Sequence, residues 1–228
     1  MTYLSGVNIF LNSQTIVFYI SYLVIFMQQS HILLQRKHWI FDLDGTLTVA
    51  VHDFDAIRNE LGIQEGMPII KTLKSLPKKK SVPLQKKLNE IEKKLAENSI
   101  LAPGVRILLE FLSKRNYKLG ILTLNTKENA LITLYSLGLT KFFNKELVLG
   151  RWCTEPKPSP KGIFKILQHW KVKASDALIV GDYLYDLQVG RAAKIATIHV
   201  DPKGDFFWPE LADIKVKSLS ELVKILNK

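Results

Sequence analysis

Short apolar runs recur along this chain at intervals filled by helical spacing, and that alternation constrains the fold more than any other feature. The runs are WIF at 39–41, KLGILTL at 118–124, ALIV at 177–180 and IATIHV at 195–200, with a weaker ELVL at 146–149. Runs this short, apolar on successive positions and rich in Ile, Val and Leu, read as strands buried on both faces. Between them, residues 105–115, 126–137, 159–170, 186–193 and 220–227 carry helical periodicity. Strands alternating with helices predict βαβ units, hence an α/β fold with a doubly wound, mostly parallel sheet covered on both faces. The carboxyl ends of all its strands lie along one edge, where ligands of such sheets bind.

The residues that follow each run are therefore the candidate site. In WIFDLDGTLT, Asp42 and Asp44 flank one leucine and precede Gly45. Alternate positions on a strand share a side, but a glycine turn can re-aim Asp44. Two neighbouring carboxylates repel, so the pair calls for a cation or a shared proton. KLGILTLN ends on Thr123 and Asn125, and GDYLYD supplies Asp182 and Asp186. Lys157 sits in EPKPSP, after the weak third run. Four carboxylates, a hydroxyl and an ammonium would converge at one edge.

Hard oxygen ligands with open positions suit Mg²⁺, which often shares a phosphate. A carboxylate neutralised in this way can attack phosphorus. A second carboxyl can protonate the leaving oxygen and then activate water. The lysine and hydroxyl would hold phosphoryl oxygens. No nucleophilic serine elbow, metal-spaced Cys/His set or phosphate-cradling glycine-lysine loop competes with this chemistry.

In these residues the chain resembles the haloacid dehalogenase superfamily, from about Ile32 to Lys228, with all four motifs in order. The resemblance implies that Asp42 is the nucleophile and Asp44 the general acid/base. It implies that Thr123 binds the phosphoryl group with Asn125 beside it, and that Lys157 is the third motif. Asp42, Asp182 and the backbone carbonyl of Asp44 would hold Mg²⁺, with Asp186 in support. An aspartate at the acid/base position points to phosphatases and mutases rather than dehalogenases. The motif wording and insertion point look most like phosphoglycolate-phosphatase-type enzymes. The expected activity is thus a Mg²⁺-dependent phosphomonoesterase acting on a small phosphorylated metabolite through an aspartyl phosphate. The alternatives are a phosphomutase on a sugar phosphate and a non-catalytic, membrane-tethered binding module.

The expected organisation is an apolar extension over 1–31, a core from 32–51 and 99–228, and a helical cap over 52–98 inserted after the first strand. In the cap, helices are predicted at 53–61, from Pro68 to about 76 and at 83–98, with Pro77-Lys78-Lys79-Lys80 as a break. Arg58 reads as a surface residue or a substrate contact, and Trp152 and Tyr183, near the motif loops, as packing or pocket-lining residues. The formal charge of +11 raises nucleic-acid binding. Its lysines are scattered among acids, with no aromatic-basic motif, so no nucleic-acid partner is expected; the partner is a small phosphate ester. Nothing in the sequence sets the oligomeric state.

Cys153 is the one cysteine, which excludes an internal disulfide and suits a reducing, cytoplasmic setting. The apolar stretch 15–27 is shorter than the about 20 residues of a spanning helix. It reads as a short anchor, as a packed or interfacial helix, or as an upstream extension of a chain starting naturally at Met27. Membrane contact is confined to residues 7–27.

Overall fold

The computed structural model describes residues 24, 27–50 and 53–227. The expected membrane contact at 7–27 falls almost entirely outside them. Among the described residues no helix is long and apolar enough to cross a membrane.

The core is a sheet of β1 (His38–Phe41), β2 (Lys118–Leu122), β3 (Val148–Leu149), β4 (Ala177–Gly181), β5 (Ala196–Val200) and β6 (Ile214–Val216). Their order is β3-β2-β1-β4-β5-β6 and every pairing is parallel. The two-residue period of each strand distributes its side chains over two layers. Trp39 and Phe41 join Ile121, Val180 and Ile198 on one face, while Ile40 joins Leu122, Leu149 and Ile179 on the other. That is why the runs lack a polar face.

Helices α1 (Phe54–Leu61), α2 (Ile69–Ser75) and α3 (Lys78–Glu97) lie between β1 and β2, in the segment expected to be a cap. Helices α4 (Val105–Lys114), α5 (Lys127–Ser136), α6 (Lys161–Trp170), α7 (Leu184–Ala192) and α8 (Leu219–Leu226) cover the sheet. Apolar residues of α4, α5 and α8 close the Trp39 face, and those of α6 and α7 close the Ile40 face.

The cap has a small core of its own, in which Ile57, Leu61, Ile63, Leu73 and Leu88 are buried together. The two chain passes that join it to the sheet are stitched to each other. Val49 N–H donates to the Ile100 carbonyl at 2.8 Å and Ala102 N–H to the Leu47 carbonyl at 3.1 Å.

Three local expectations change. Pro77-Lys78-Lys79-Lys80 does not break the cap. Pro77 caps α3, and its carbonyl accepts from Lys80 and Ser81 N–H groups, so the lysines form the first turn. Proline is tolerated at a helix start because the first amides lack helical partners anyway. Pro83 then sits inside α3. The predicted strand over 146–149 is a 3₁₀ turn at Lys145–Leu147 followed by the two-residue β3. The edge strand β6 escaped prediction because its three residues, with Lys215 exposed between buried Ile214 and Val216, are too few to show a period. At the other end, residues 27–35 are helical and Leu33 is fully buried in the main core. That helix crosses the expected boundary between residues 31 and 32.

Candidate active site

Each motif residue leaves its strand at the carboxyl edge. Asp42 follows β1, its amide still donating to the Val180 carbonyl at 2.9 Å, and Thr123 follows β2 with its amide on the Leu149 carbonyl at 3.0 Å. Asp182 follows β4, and Asp186 lies in the first turn of α7. Gly45 permits this convergence. Its φ is +86°, and a Cβ there would meet Asp182 Oδ2 at 2.3 Å, so the β1 turn presses directly against the β4 carboxylate.

Lys157 lies at the centre of the cluster. Its ammonium, 5% exposed as a residue, pairs with Asp42 Oδ1 at 2.8 Å and Asp186 Oδ1 at 2.5 Å. Burial alone would lower its pKa, but the Asp186 and Asp42 charges outweigh burial and hold it above the ordinary lysine value. Asp186 also accepts the Tyr183 N–H at 3.2 Å. Thr46 Oγ1 donates to Asp182 Oδ1 at 2.9 Å, and the Asp182 carbonyl accepts from His199 Nε2 at 3.2 Å.

The Asp44 carboxylate is bound by the loop after β2. Asn125 Nδ2 donates to its Oδ2 at 3.1 Å, while Asn125 Oδ1 accepts from Thr126 N–H and Asn129 Nδ2. Both ends of the Asn125 amide are therefore engaged, and it serves Asp44 in this arrangement. Thr123 is 2% exposed and its oxygen accepts the Asn125 N–H at 3.0 Å, which leaves its hydroxyl proton for another acceptor.

Asp42, Asp182 and Asp186 each offer a carboxylate oxygen, all within 4.8 Å of one another. Burial first, then the Asp42 and Asp186 charges, pushes Asp182 up to about 8; burial and the Asp42 charge push Asp186 up to about 7. Carboxyls crowded enough to hold protons near neutrality gain most from a divalent cation. The donor set is all hard oxygen, with no thiol or imidazole among the three. The residues therefore fit Mg²⁺, and the expected ligands Asp42 and Asp182 stand in the cluster with Asp186.

Other sequence candidates settle elsewhere. Arg58 is engaged inside the cap, donating to the Met67 carbonyl at 2.9 Å and to Asp55 at 2.6 Å. Tyr183 packs edge-on to Tyr185 and Trp208, and Trp152 lies under the Lys74 ammonium at 5.1 Å. Three buried polar residues were not singled out from sequence. Thr46 was readable as the hydroxyl following the glycine turn. The ion pair between Glu92 on α3 and Arg151 after β3 joins residues fifty-nine apart and had no local signal.

Fold and cluster together define a doubly wound α/β protein with a cation-fitting carboxylate and lysine site at its sheet edge. A family model described as haloacid dehalogenase-like hydrolase matches residues 39–200. The chain belongs to this family. It is 29% identical to a haloacid dehalogenase-like hydrolase domain-containing protein of Arabidopsis thaliana, over 82% of each chain. It is 25% identical to a phosphoglycolate phosphatase of Pseudomonas savastanoi, over 70% of this chain and 67% of that one. A β-phosphoglucomutase structure from Clostridium difficile shares the fold with a TM-score of 0.69 at 19% identity, covering 84% of this chain and 97% of that one.

Proposed function

We propose that this hydrolase is a Mg²⁺-dependent phosphomonoesterase that cleaves a small phosphorylated metabolite through a phosphoryl-aspartate at Asp42. The observation that carries the reading is Lys157, buried and paired with Asp42 and Asp186 at the centre of the three-carboxylate cluster. The name of the Pseudomonas savastanoi relative points the same way and suggests a phosphoglycolate-like ester.

Asp42, Asp182 and the Asp44 carbonyl would hold the metal, with Asp186 supporting them. When bound, Mg²⁺ supplies positive charge that offsets the carboxylates and the incoming phosphoryl group. Asp42 Oδ attacks phosphorus and the bond to the leaving oxygen breaks. The Asp44 carboxyl gives that oxygen its proton, so the product leaves as an alcohol. Asp44, now a carboxylate, takes a proton from water as the water oxygen attacks phosphorus. The Asp42–phosphorus bond breaks and inorganic phosphate departs. Asn125 keeps the Asp44 carboxyl oriented through both transfers. The Thr123 hydroxyl and the Lys157 ammonium donate to the phosphoryl oxygens, where charge develops.

A phosphate-release screen over 2-phosphoglycolate, nucleotides and sugar phosphates, with and without Mg²⁺, tests the proposal. Mg²⁺-dependent release supports it. Isomerised sugar phosphate without release would make the protein a mutase instead, and no turnover of any ester would leave the binding-module alternative.

A further inference from the structure

His199 is a buried side chain at the same sheet edge with no part in the reaction above. It stands opposite Gly181 in the parallel pairing of β5 with β4, and Asp182 follows Gly181. Its neighbours Ile198 and Val200 point into the Trp39 layer, so alternation turns the imidazole to the other face. There Nε2 meets the Asp182 carbonyl at 3.2 Å. A carbonyl oxygen only accepts, so Nε2 carries the hydrogen. The residue is 2% exposed, and Nδ1 has no partner among the described residues. The one hydrogen bond of this ring therefore goes to the peptide group that follows a metal-site carboxylate.

The loop after β5 is shaped around that ring. Phe206 stands edge-on to it at 5.5 Å, and Trp208 lies tilted against it at 5.7 Å. Phe206 reaches this place with a φ of +46°, a left-handed conformation that a bulky side chain adopts only under constraint. The Asp201 carboxylate supplies the constraint, accepting the Lys203 N–H at 3.0 Å and the Phe206 N–H at 2.8 Å.

The peptide that His199 holds serves two carboxylates. A trans peptide is planar, with its C=O and N–H pointing in opposite directions. Fixing the Asp182 carbonyl on His199 therefore aims the Tyr183 N–H the other way, where it donates to Asp186 Oδ2 at 3.2 Å. Asp182 and Asp186 are two of the three carboxylates that fit Mg²⁺. Thr46 holds the Asp182 side chain; His199 holds its backbone. Without the imidazole donor the peptide plane is free to turn, and Asp186 loses its amide partner.

We propose that His199 is a positioning residue for the metal site: its Nε2–H fixes the Asp182–Tyr183 peptide and so orients both Asp182 and Asp186 toward the cation. This role rests on the Mg²⁺ reading above. Mg²⁺ is titrated by calorimetry into the protein without any ester. His199→Phe keeps a ring between Phe206 and Trp208 but has no donor, and should raise the Mg²⁺ Kd about tenfold. His199→Gln, whose amide carries an N–H of similar reach, should restore most of the affinity. Ile198→Val trims a buried side chain of the same strand on the opposite face, and should lower Tm while leaving Kd unchanged. An unchanged Kd in His199→Phe, or an equal loss in Ile198→Val, overturns the role of His199 and leaves the Mg²⁺ reading intact. A wild-type protein that binds no Mg²⁺ overturns both.

A measurement on the wild type does not depend on how His199→Phe folds. Long-range ¹H–¹⁵N spectra of the assigned protein report the His199 tautomer. The expected form is Nε2–H, with an Nε2 resonance that shifts on saturation with Mg²⁺. An Nδ1–H tautomer, or an Nε2 resonance indifferent to Mg²⁺, overturns the proposal.

Discussion

Metal-free protein should lose stability as the pH rises from 6.5 to 8, and Mg²⁺ should return it. Asp182 and Asp186 hold protons up to about pH 8 and 7 in the folded protein, because burial and neighbouring carboxylates disfavour their charged forms. In the unfolded chain both ionise near pH 4. Between pH 4 and 8 the folded state therefore binds more protons, and its stability falls as pH rises. One such proton is worth at most about 1.4 kcal/mol per pH unit, or about 2 kcal/mol across this window. Asp182 keeps part of its surface in water, so half of that, about 1 kcal/mol, is the lower bound taken here. For a chain of this size these figures correspond to a drop of about 2–8 °C in Tm.

The window matters. His199 is held below its ordinary range by burial, so it adds stability with rising pH only up to about 6.5, where the unfolded histidine titrates. A Mg²⁺ ion binds the ionised carboxylates, and at a hundredfold excess over its Kd it adds about 2.7 kcal/mol. The assay is scanning calorimetry at pH 6.5, 7.25 and 8, in EDTA and in excess Mg²⁺. The expected result is a Tm that falls with pH in EDTA and a Mg²⁺ shift that grows with pH. A Tm that rises over this window in EDTA, or a Mg²⁺ shift of constant size, would refute the reasoning.

Thr46→Val should weaken Mg²⁺ about 10–100-fold, because Asp182 loses the donor that orients it; the Mg²⁺ dependence of phosphate release reads this directly. Gly45→Ala should cut kcat at least about a hundredfold with the far-UV circular dichroism unchanged, since the new methyl meets Asp182 at a left-handed backbone position. Removing the Asp44 donor with Asn125→Leu should lower kcat about tenfold or more with little change in KM. An unchanged kcat in that variant would remove Asn125 from the account.

The layering and the site edge were legible because the three central strands, β1, β2 and β4, are each followed at once by a polar residue. Trp39-Ile40-Phe41 has no polar position, so both faces had to be covered, and Asp42 had to emerge where the run stops. The same logic placed Thr123 and Asp182. Side-chain partnerships were less legible. Asn125, expected beside the phosphoryl group, is held through its amide by Asp44, Thr126 and Asn129, contacts set by the loop's conformation rather than by residue type. The Arg151–Glu92 pair was invisible because it depends on how α3 lies against the β3 loop. The start of α3 was misread for a local reason. A proline followed by three lysines resembles a solvated break, but proline at a helix start costs no hydrogen bond.

The central claim is that Asp42 carries the phosphoryl group. Rapid acid quench of the protein turning over 2-phosphoglycolate or another accepted ester with Mg²⁺, followed by peptide mass mapping, tests it most directly. A phosphoryl adduct on the peptide containing Asp42, absent from the Asp42→Asn protein, is the predicted result. An adduct on a different residue, or undiminished phosphate release by Asp42→Asn, would contradict it.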